Sequence, residues 1–242
     1  MNNIFAGLQY LIDGFKLIFQ PGLRRFAFIP LIINTILFII LFMVLIHYMA
    51  QFNTWFANHL PHWLSWLAGV IWVLVFISFF LILIYTFVWI ANILAAPFNG
   101  LLAEKVEYYL TGKKLPSRTV FENVKDVPRV MGRQLGMLLF YVPWAVLILI
   151  IFFVPVVQAF AAFAWFVFNA WFMTLTYLDY PTDNHQIPLS EVRKMLREKP
   201  GLALGFGISV LVATMIPVLN FFVIPASVAA ATKLWVEQGT SK

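Results

Sequence analysis

Two adjacent arginines, Arg24 and Arg25, follow Pro21-Gly22-Leu23 where a mixed N-terminal segment gives way to a long apolar run. No Asp, Glu, Lys or Arg comes after them until Glu104. A Pro at the first position of a helix forfeits no hydrogen bond, so the N–H groups of Gly22, Leu23 and Arg24 are expected among the open donors of a new helix's first turn. Gly22 lets an oxyanion approach that backbone closely. Open donors, the positive end of a helix dipole and two guanidiniums together suit a small, multiply charged oxyanion. The same pair has a plainer use, anchoring a membrane helix among lipid headgroups on the cytoplasmic side, and spacing alone favours the anchor.

The remaining polar groups are sparse. Asn34, Asn92, Asn99 and Asn220 each stand near a Pro in apolar surroundings, where an amide either caps freed carbonyls or lines a pore. Glu104, Glu107, Asp179, Asp183 and His185 gather at the expected cytoplasmic ends of apolar runs, where a carboxylate could carry a proton or repel an anion and the histidine could titrate. His47, His59, His62 and His185 lack ligand partners at helical spacing, so no metal site is expected. No phosphate-binding glycine loop, nucleophile elbow or dinucleotide fingerprint occurs, and neither cofactor nor catalytic residue is assigned.

The elements that must position these groups belong to a membrane protein. The 242 residues are 62% hydrophobic, 18% aromatic and only 11% charged, against about 25% charged in soluble domains. Mean hydropathy is +0.89. The first residues lack the basic and apolar order of a secretory signal, so the N-terminus is expected in the cytoplasm. Zero cysteines exclude disulfides and thiol chemistry. The net charge of +6 comes from short basic loops beside apolar spans, which membrane topology explains better than nucleic-acid binding.

Along the chain, Ile4, Phe5, Leu8, Leu11, Ile12, Phe15 and Phe19 keep helical spacing while Gln9, Asp13 and Lys16 take the other side. Residues 1–20 therefore read as an amphipathic helix in the membrane interface. Two transmembrane helices are expected within 28–96, at about 30–49 and 64–93, joined by an external polar and aromatic loop over 51–63. Pro97 and Gly100 should break the second. A cytoplasmic loop with helical pieces follows over 104–133, holding Lys105, Lys113, Lys114, Arg118, Lys125, Arg129 and Arg133.

Residues 134–178 and 201–236 each read as a Pro-broken helical hairpin. The first turns at Pro155; the second is interrupted at Ile216-Pro217 and again at Pro225. Neither turn carries a charge, so each hairpin either spans the bilayer or enters it partway, and partial entry needs shielding that favours a homo-oligomer. Between them, 179–200 reads as a polar turn from Asp179 to His185, then a basic amphipathic helix capped by Ser190. Pro200-Gly201-Leu202 faintly echoes Pro21-Gly22-Leu23 without the arginines.

Taken together, several blocks resemble the bacterial CysZ sulfate permease family over nearly the whole chain. They are Gly7-Leu8, Tyr10-Leu11 and Gly14; Pro21-Gly22-Leu23-Arg24-Arg25 with Pro30-Leu31 and Asn34; and the run from Ala96-Pro97-Phe98-Asn99-Gly100 to Glu104. Leu178-Asp179-Tyr180-Pro181 with Asp183-Asn184-His185, and Ile216-Pro217 with Asn220, Pro225 and Ala231-Thr232, complete them. The resemblance implies sulfate uptake through the inner membrane for cysteine synthesis, with sulfate bound at Gly22, Leu23, Arg24 and Arg25. It also implies two full transmembrane helices and two hairpins that penetrate only part of the bilayer. Whether transport is passive or proton-linked stays open. The rival readings are a non-conducting membrane interaction or regulatory protein of sulfur metabolism, docking through 104–133, and a membrane enzyme.

Overall fold

The structure is a computed structural model and describes residues 3–59, 61, 66–113 and 127–239. Among the described residues it is helical throughout. The helices are α1 (Ile4–Ile18), α2 (Arg24–His59), α3 (Ala68–Thr111), α4 (Val127–Phe152), α5 (Gln158–Asn184), α6 (Leu189–Glu198), α7 (Pro200–Thr214) and α8 (Pro217–Gln238). Five of them contain stretches long and apolar enough to cross a membrane: Arg24–Phe56, Gly69–Phe87, Gly132–Phe152, Gln158–Asn184 and Pro217–Gln238. The chain is an all-α, multi-pass membrane protein.

The chain divides into two compact units, Phe28–Phe98 and the remainder, Met1–Ala27 with Asn99–Lys242. In the first, α2 and α3 meet through a small cluster of Leu45, Met49 and Leu83 with Leu41 and Val75 against it, and Phe38 meets Phe87 edge-on at 5.4 Å. Ile32, Met43, Ile46, Leu74 and Ile82 stay exposed. A soluble protein would not leave so many large apolar side chains in water, whereas lipid solvates them.

The second unit holds the packed core. Here α1 lies against α7 and α8, and α5 packs on α4, α7 and α8. Small residues allow the close crossings. A Cβ on Gly7 would sit 2.0 Å from the Phe206 amide nitrogen, and one on Gly14 would sit 2.2 Å from the Ala226 carbonyl. On another side of α7, Thr174 Oγ1 donates to the Ala203 carbonyl at 2.6 Å. Backbones brought this near gain dispersion and interhelical hydrogen bonds, the attractions that remain when lipid tails remove the hydrophobic drive between helices.

Several expected breaks are absent. Helix α3 continues through Pro97 and Gly100, and α5 and α8 continue through Pro181 and Pro225. A Pro inside a helix gives up one hydrogen bond, while leaving the helix in an apolar medium exposes several backbone groups, so the helix persists. For the same reason Asp179 to Asn184 form the last turns of α5 rather than a polar turn. Residues 51–59 extend α2 instead of forming a loop.

Ser190 is not the cap of α6. That helix starts at Leu189, with the Pro188 carbonyl accepting from the Glu191 and Val192 amides at 3.0 and 3.3 Å. Glu104 and Glu107 belong to α3, Arg129 and Arg133 to α4, and the middle of the expected 104–133 loop lies outside the described residues. The hairpin turns fall at residues 153–157 and 215–216.

Candidate anion-binding site

The junction between α1 and α2 is shaped by one left-handed residue. Gly22 has φ +91°, with nothing within 4 Å of the position a Cβ would take. The backbone angle demands glycine here, and the surrounding space stays open. The reversal brings Gln20 under the new helix, so the Leu23 and Arg24 amides both donate to its carbonyl at 3.1 Å. This corrects the expectation that those two N–H groups stand open: Pro21 lies in the turn, and α2 begins at Arg24. Leu23 is buried, at 3% exposure, as is Ala27, so Leu23 anchors the turn and offers no side chain to an anion.

The arginines face outward. Arg24 and Arg25 are exposed, and neither meets a carboxylate among the described residues; Arg25 stacks its guanidinium 4.9 Å from the Phe26 ring centroid. Lys105 Nζ stands 6.0 Å from the same ring while pairing with Glu104 at 2.8 Å. The junction is therefore an open turn beside two uncompensated forked cations, able to hold an oxyanion through parallel N–H donors.

A second polar assembly is already satisfied internally. Arg133 donates from Nε to Asp179 at 2.6 Å, from Nη1 to the Ile187 carbonyl at 2.5 Å and from Nη2 to Thr182 at 3.2 Å. Arg129 pairs with Asp183. Next to them, His185 Nε2 meets the Glu107 carboxylate at 2.8 and 3.0 Å, with its ring 5.6 Å from Trp235. Asn99 donates to the Tyr180 hydroxyl at 3.2 Å, and Asn184 to the Gly100 carbonyl at 3.0 Å. The end of α3, the start of α4 and the end of α5 are thus tied by partly buried polar contacts.

The structure brings Asn99, Glu107, Asp179, Asp183 and His185 together, while Glu104 is taken up by Lys105. Asn34 is half-buried on α2 in the other unit, and Asn220 is exposed on the first turn of α8. The side chain of Asn92 lies outside the described residues. Sequence reasoning missed Arg129, Arg133, Thr182 and Tyr180 as members of this network. A signal existed: Arg129 and Arg133 are four apart, as are Asp179 and Asp183, which places each pair on one helical face.

At the far edge of the unit, α1 is fastened to α8. Lys233 Nζ meets Asp13 at 2.7 Å and Glu237 at 3.7 Å, and the Tyr10 hydroxyl donates to Glu237 at 2.8 Å. The Lys233 hydrogen bond holds the Asp13 carboxyl below its ordinary range. Burial, followed by the Glu237 contact, pushes Tyr10 up to about 12.

A family model described as Sulfate transporter CysZ/Etoposide-induced protein 2.4 matches residues 10–225. The chain belongs to this family. The match includes the junction and every candidate residue from Gly22 to Asn220, and it ends before Lys233 and Trp235. The chain is also 41% identical over 237 residues to the Sulfate transporter CysZ of Pectobacterium atrosepticum, covering 96% of this chain and 85% of that protein.

Proposed function

We propose that this protein carries sulfate across the bacterial inner membrane to supply cysteine synthesis, taking the anion at Arg24 and Arg25 beside the Gly22 turn that Leu23 anchors. Family membership and the 41% identical sulfate transporter support the substrate. The observation that carries the site is the contrast among arginines: Arg129 and Arg133 are consumed by Asp183 and Asp179, while Arg24 and Arg25 are exposed and meet no carboxylate among the described residues. Sulfate holds its water tightly, so its site must return several charge-assisted hydrogen bonds of about 1.5–3 kcal/mol each. Two guanidiniums beside an open glycine turn supply that kind of donor. No bond-breaking chemistry is assigned to the chain.

The termini are read as cytoplasmic, because the basic residues of the sequence concentrate in 104–133 and 179–200 while 51–63 carries no Lys or Arg. Helix α7 has 15 residues, about 22 Å at 1.5 Å per residue and shorter than the hydrocarbon's roughly 30 Å. Its turn is apolar and exposed at Met215 and Ile216, which supports a hairpin ending inside the bilayer. The turn of the other hairpin, with Phe153 and Val156, has the same character. Backbone at that depth must be shielded, which supports a homo-oligomer. The His185–Glu107 pair is the candidate proton-linked element.

The test is sulfate binding to purified protein and sulfate flux in liposomes, for wild type and for Arg24→Ala with Arg25→Ala. The reading expects both to fall together, by about 10- to 100-fold per lost charge-assisted hydrogen bond. Arg24→Lys should also weaken binding, since an ammonium lacks the parallel fork. Flux that survives the double substitution would reduce the arginines to anchors, and a wild type that neither binds nor conducts would favour the interaction-protein reading. His185→Gln with unchanged pH dependence of flux would exclude that histidine from proton coupling.

A further inference from the structure

Helix α1 has three faces rather than two. Gly7, Leu11, Gly14 and Ile18 are buried against the core, while Gln9, Asp13 and Lys16 form a polar face. Ile4, Phe5, Leu8 and Ile12 make a third stripe, about 100° wide at 3.6 residues per turn, and they are 41% to 76% exposed. The residues that follow the stripe in the chain carry a local excess of cations. Lys16 is solvent-facing, and its partner Asp13 is shared with Lys233. Arg24 and Arg25 are exposed and meet no carboxylate among the described residues, and the nearby Lys105 and Glu104 neutralise each other. The apolar span of α2 begins at Arg24, so these guanidiniums stand at the edge of the hydrocarbon, the depth of lipid phosphates.

We infer that the α1 stripe with Arg24 and Arg25 binds an anionic phospholipid, acyl chain along Ile4, Phe5, Leu8 and Ile12 and phosphodiester on the arginines, and that this lipid competes with sulfate. The competition rests on the sulfate reading of the same arginines; lipid binding does not. A free oxyanion needs the cations but has no use for the apolar stripe, whereas a phospholipid matches both. Its phosphodiester spreads one negative charge over two non-bridging oxygens, which fit a guanidinium fork as sulfate's oxygens do. A site open to both makes sulfate capture depend on the anionic lipid around the protein.

The experiment uses full-length protein in neutral detergent, titrated with phosphatidylglycerol or phosphatidylcholine. Native mass spectrometry reads bound lipid and radiolabelled sulfate reads anion binding. Micelles carrying few lipids avoid the surface potential by which a charged bilayer would repel sulfate. Wild type should retain phosphatidylglycerol over phosphatidylcholine. Arg24→Gln with Arg25→Gln should lower that retention about tenfold or more per arginine, the loss of one charge-assisted hydrogen bond to the phosphodiester each. Lys194→Gln with Arg197→Gln, an equal charge change on the exposed side of α6, should leave it unaltered.

Phe5→Ser with Leu8→Ser should weaken lipid retention and leave sulfate binding in lipid-free micelles unchanged. Phosphatidylglycerol should lower sulfate affinity in wild type. Equal retention of both lipids, or equal loss in the α6 control, would overturn the lipid site. Retained lipid with undiminished sulfate affinity would overturn the competition, and a wild type that retains lipid but never binds sulfate would remove the sulfate reading alone.

Discussion

Replacing Arg133 with Met tests whether the α4–α5 network is structural. Its guanidinium is 9% exposed and supplies contacts to the Asp179 carboxylate, the Ile187 carbonyl and the Thr182 hydroxyl, with Asp183 3.5 Å away. Removing it strands Asp179, itself 5% exposed, as a buried charge. Breaking one side of a buried pair costs about 3–5 kcal/mol, and the orphaned carbonyl adds to this. Arg129 remains on Asp183 and keeps some positive charge in place, so the lower end, about 3 kcal/mol, is expected.

Arg133→Met combined with Asp179→Leu removes both charges together and should return to within about 1 kcal/mol of wild type, because a well-packed apolar pair often replaces a buried ion pair without loss. Reversible unfolding in mixed detergent–SDS micelles measures both, with Lys194→Met as an exposed control expected within about 0.5 kcal/mol. A single substitution costing under about 1 kcal/mol, or a double losing the sum of its singles, would show that Arg133 does not stabilise Asp179.

Two further outcomes follow from packing and protonation. Gly207→Ala would put a Cβ 1.7 Å from the Ala170 carbonyl oxygen and 2.9 Å from Thr174 Oγ1, forcing α5 and α7 apart at a cost of at least about 1–3 kcal/mol, whereas Gly132→Ala meets nothing within 4 Å and should be neutral or stabilising; the same unfolding assay compares them. Docking of α1 should be level across neutral pH and fail at both extremes. Asp13 is held below its ordinary range, so its contribution is present above about pH 4 and lost as pH falls through its folded value. Tyr10 is raised to about 12, so its contribution is complete below about pH 10 and lost as pH climbs toward that value. Since the chain has no cysteine, a fluorophore on Gln9→Cys reports the release, and an acid limb unchanged by Asp13→Asn would refute the assignment.

What could be read from the sequence depended on whether the signal was local. The uncharged runs, the turns near Pro155 and Ile216 and the double arginine follow from composition and single residues, and the helices lie where those runs lie. Proline was misread as a stop at Pro97, Pro181 and Pro225, because the rule weighs one lost hydrogen bond against water, and water is absent from an apolar environment. Helix α1 was read as two-faced because glycine carries no hydrophobic signal. Its packed face is made of Gly7 and Gly14 as much as of Leu11 and Ile18, so spacing of large side chains found the exposed stripe and missed the buried one. The Arg–Asp network joins residues 46 and 54 apart, a pairing set by how a hairpin closes.

Partner availability separates the two sets of arginines in physical terms. The end of α5 carries Asp179 and Asp183 at one-turn spacing, so arginines on α4 at matching spacing are neutralised as the hairpin forms, and buried cations are stable only when neutralised in this way. The α1–α2 junction has no such supply: Asp13 is committed to Lys233, Glu104 to Lys105, and α2 brings no acid after Arg25. Among the described residues no acid answers these two exposed cations at the end of an apolar span. On the proposed reading the junction takes its counter-charge from an external anion, and sulfate in transit and the phosphate of a neighbouring lipid would compete for the same donors.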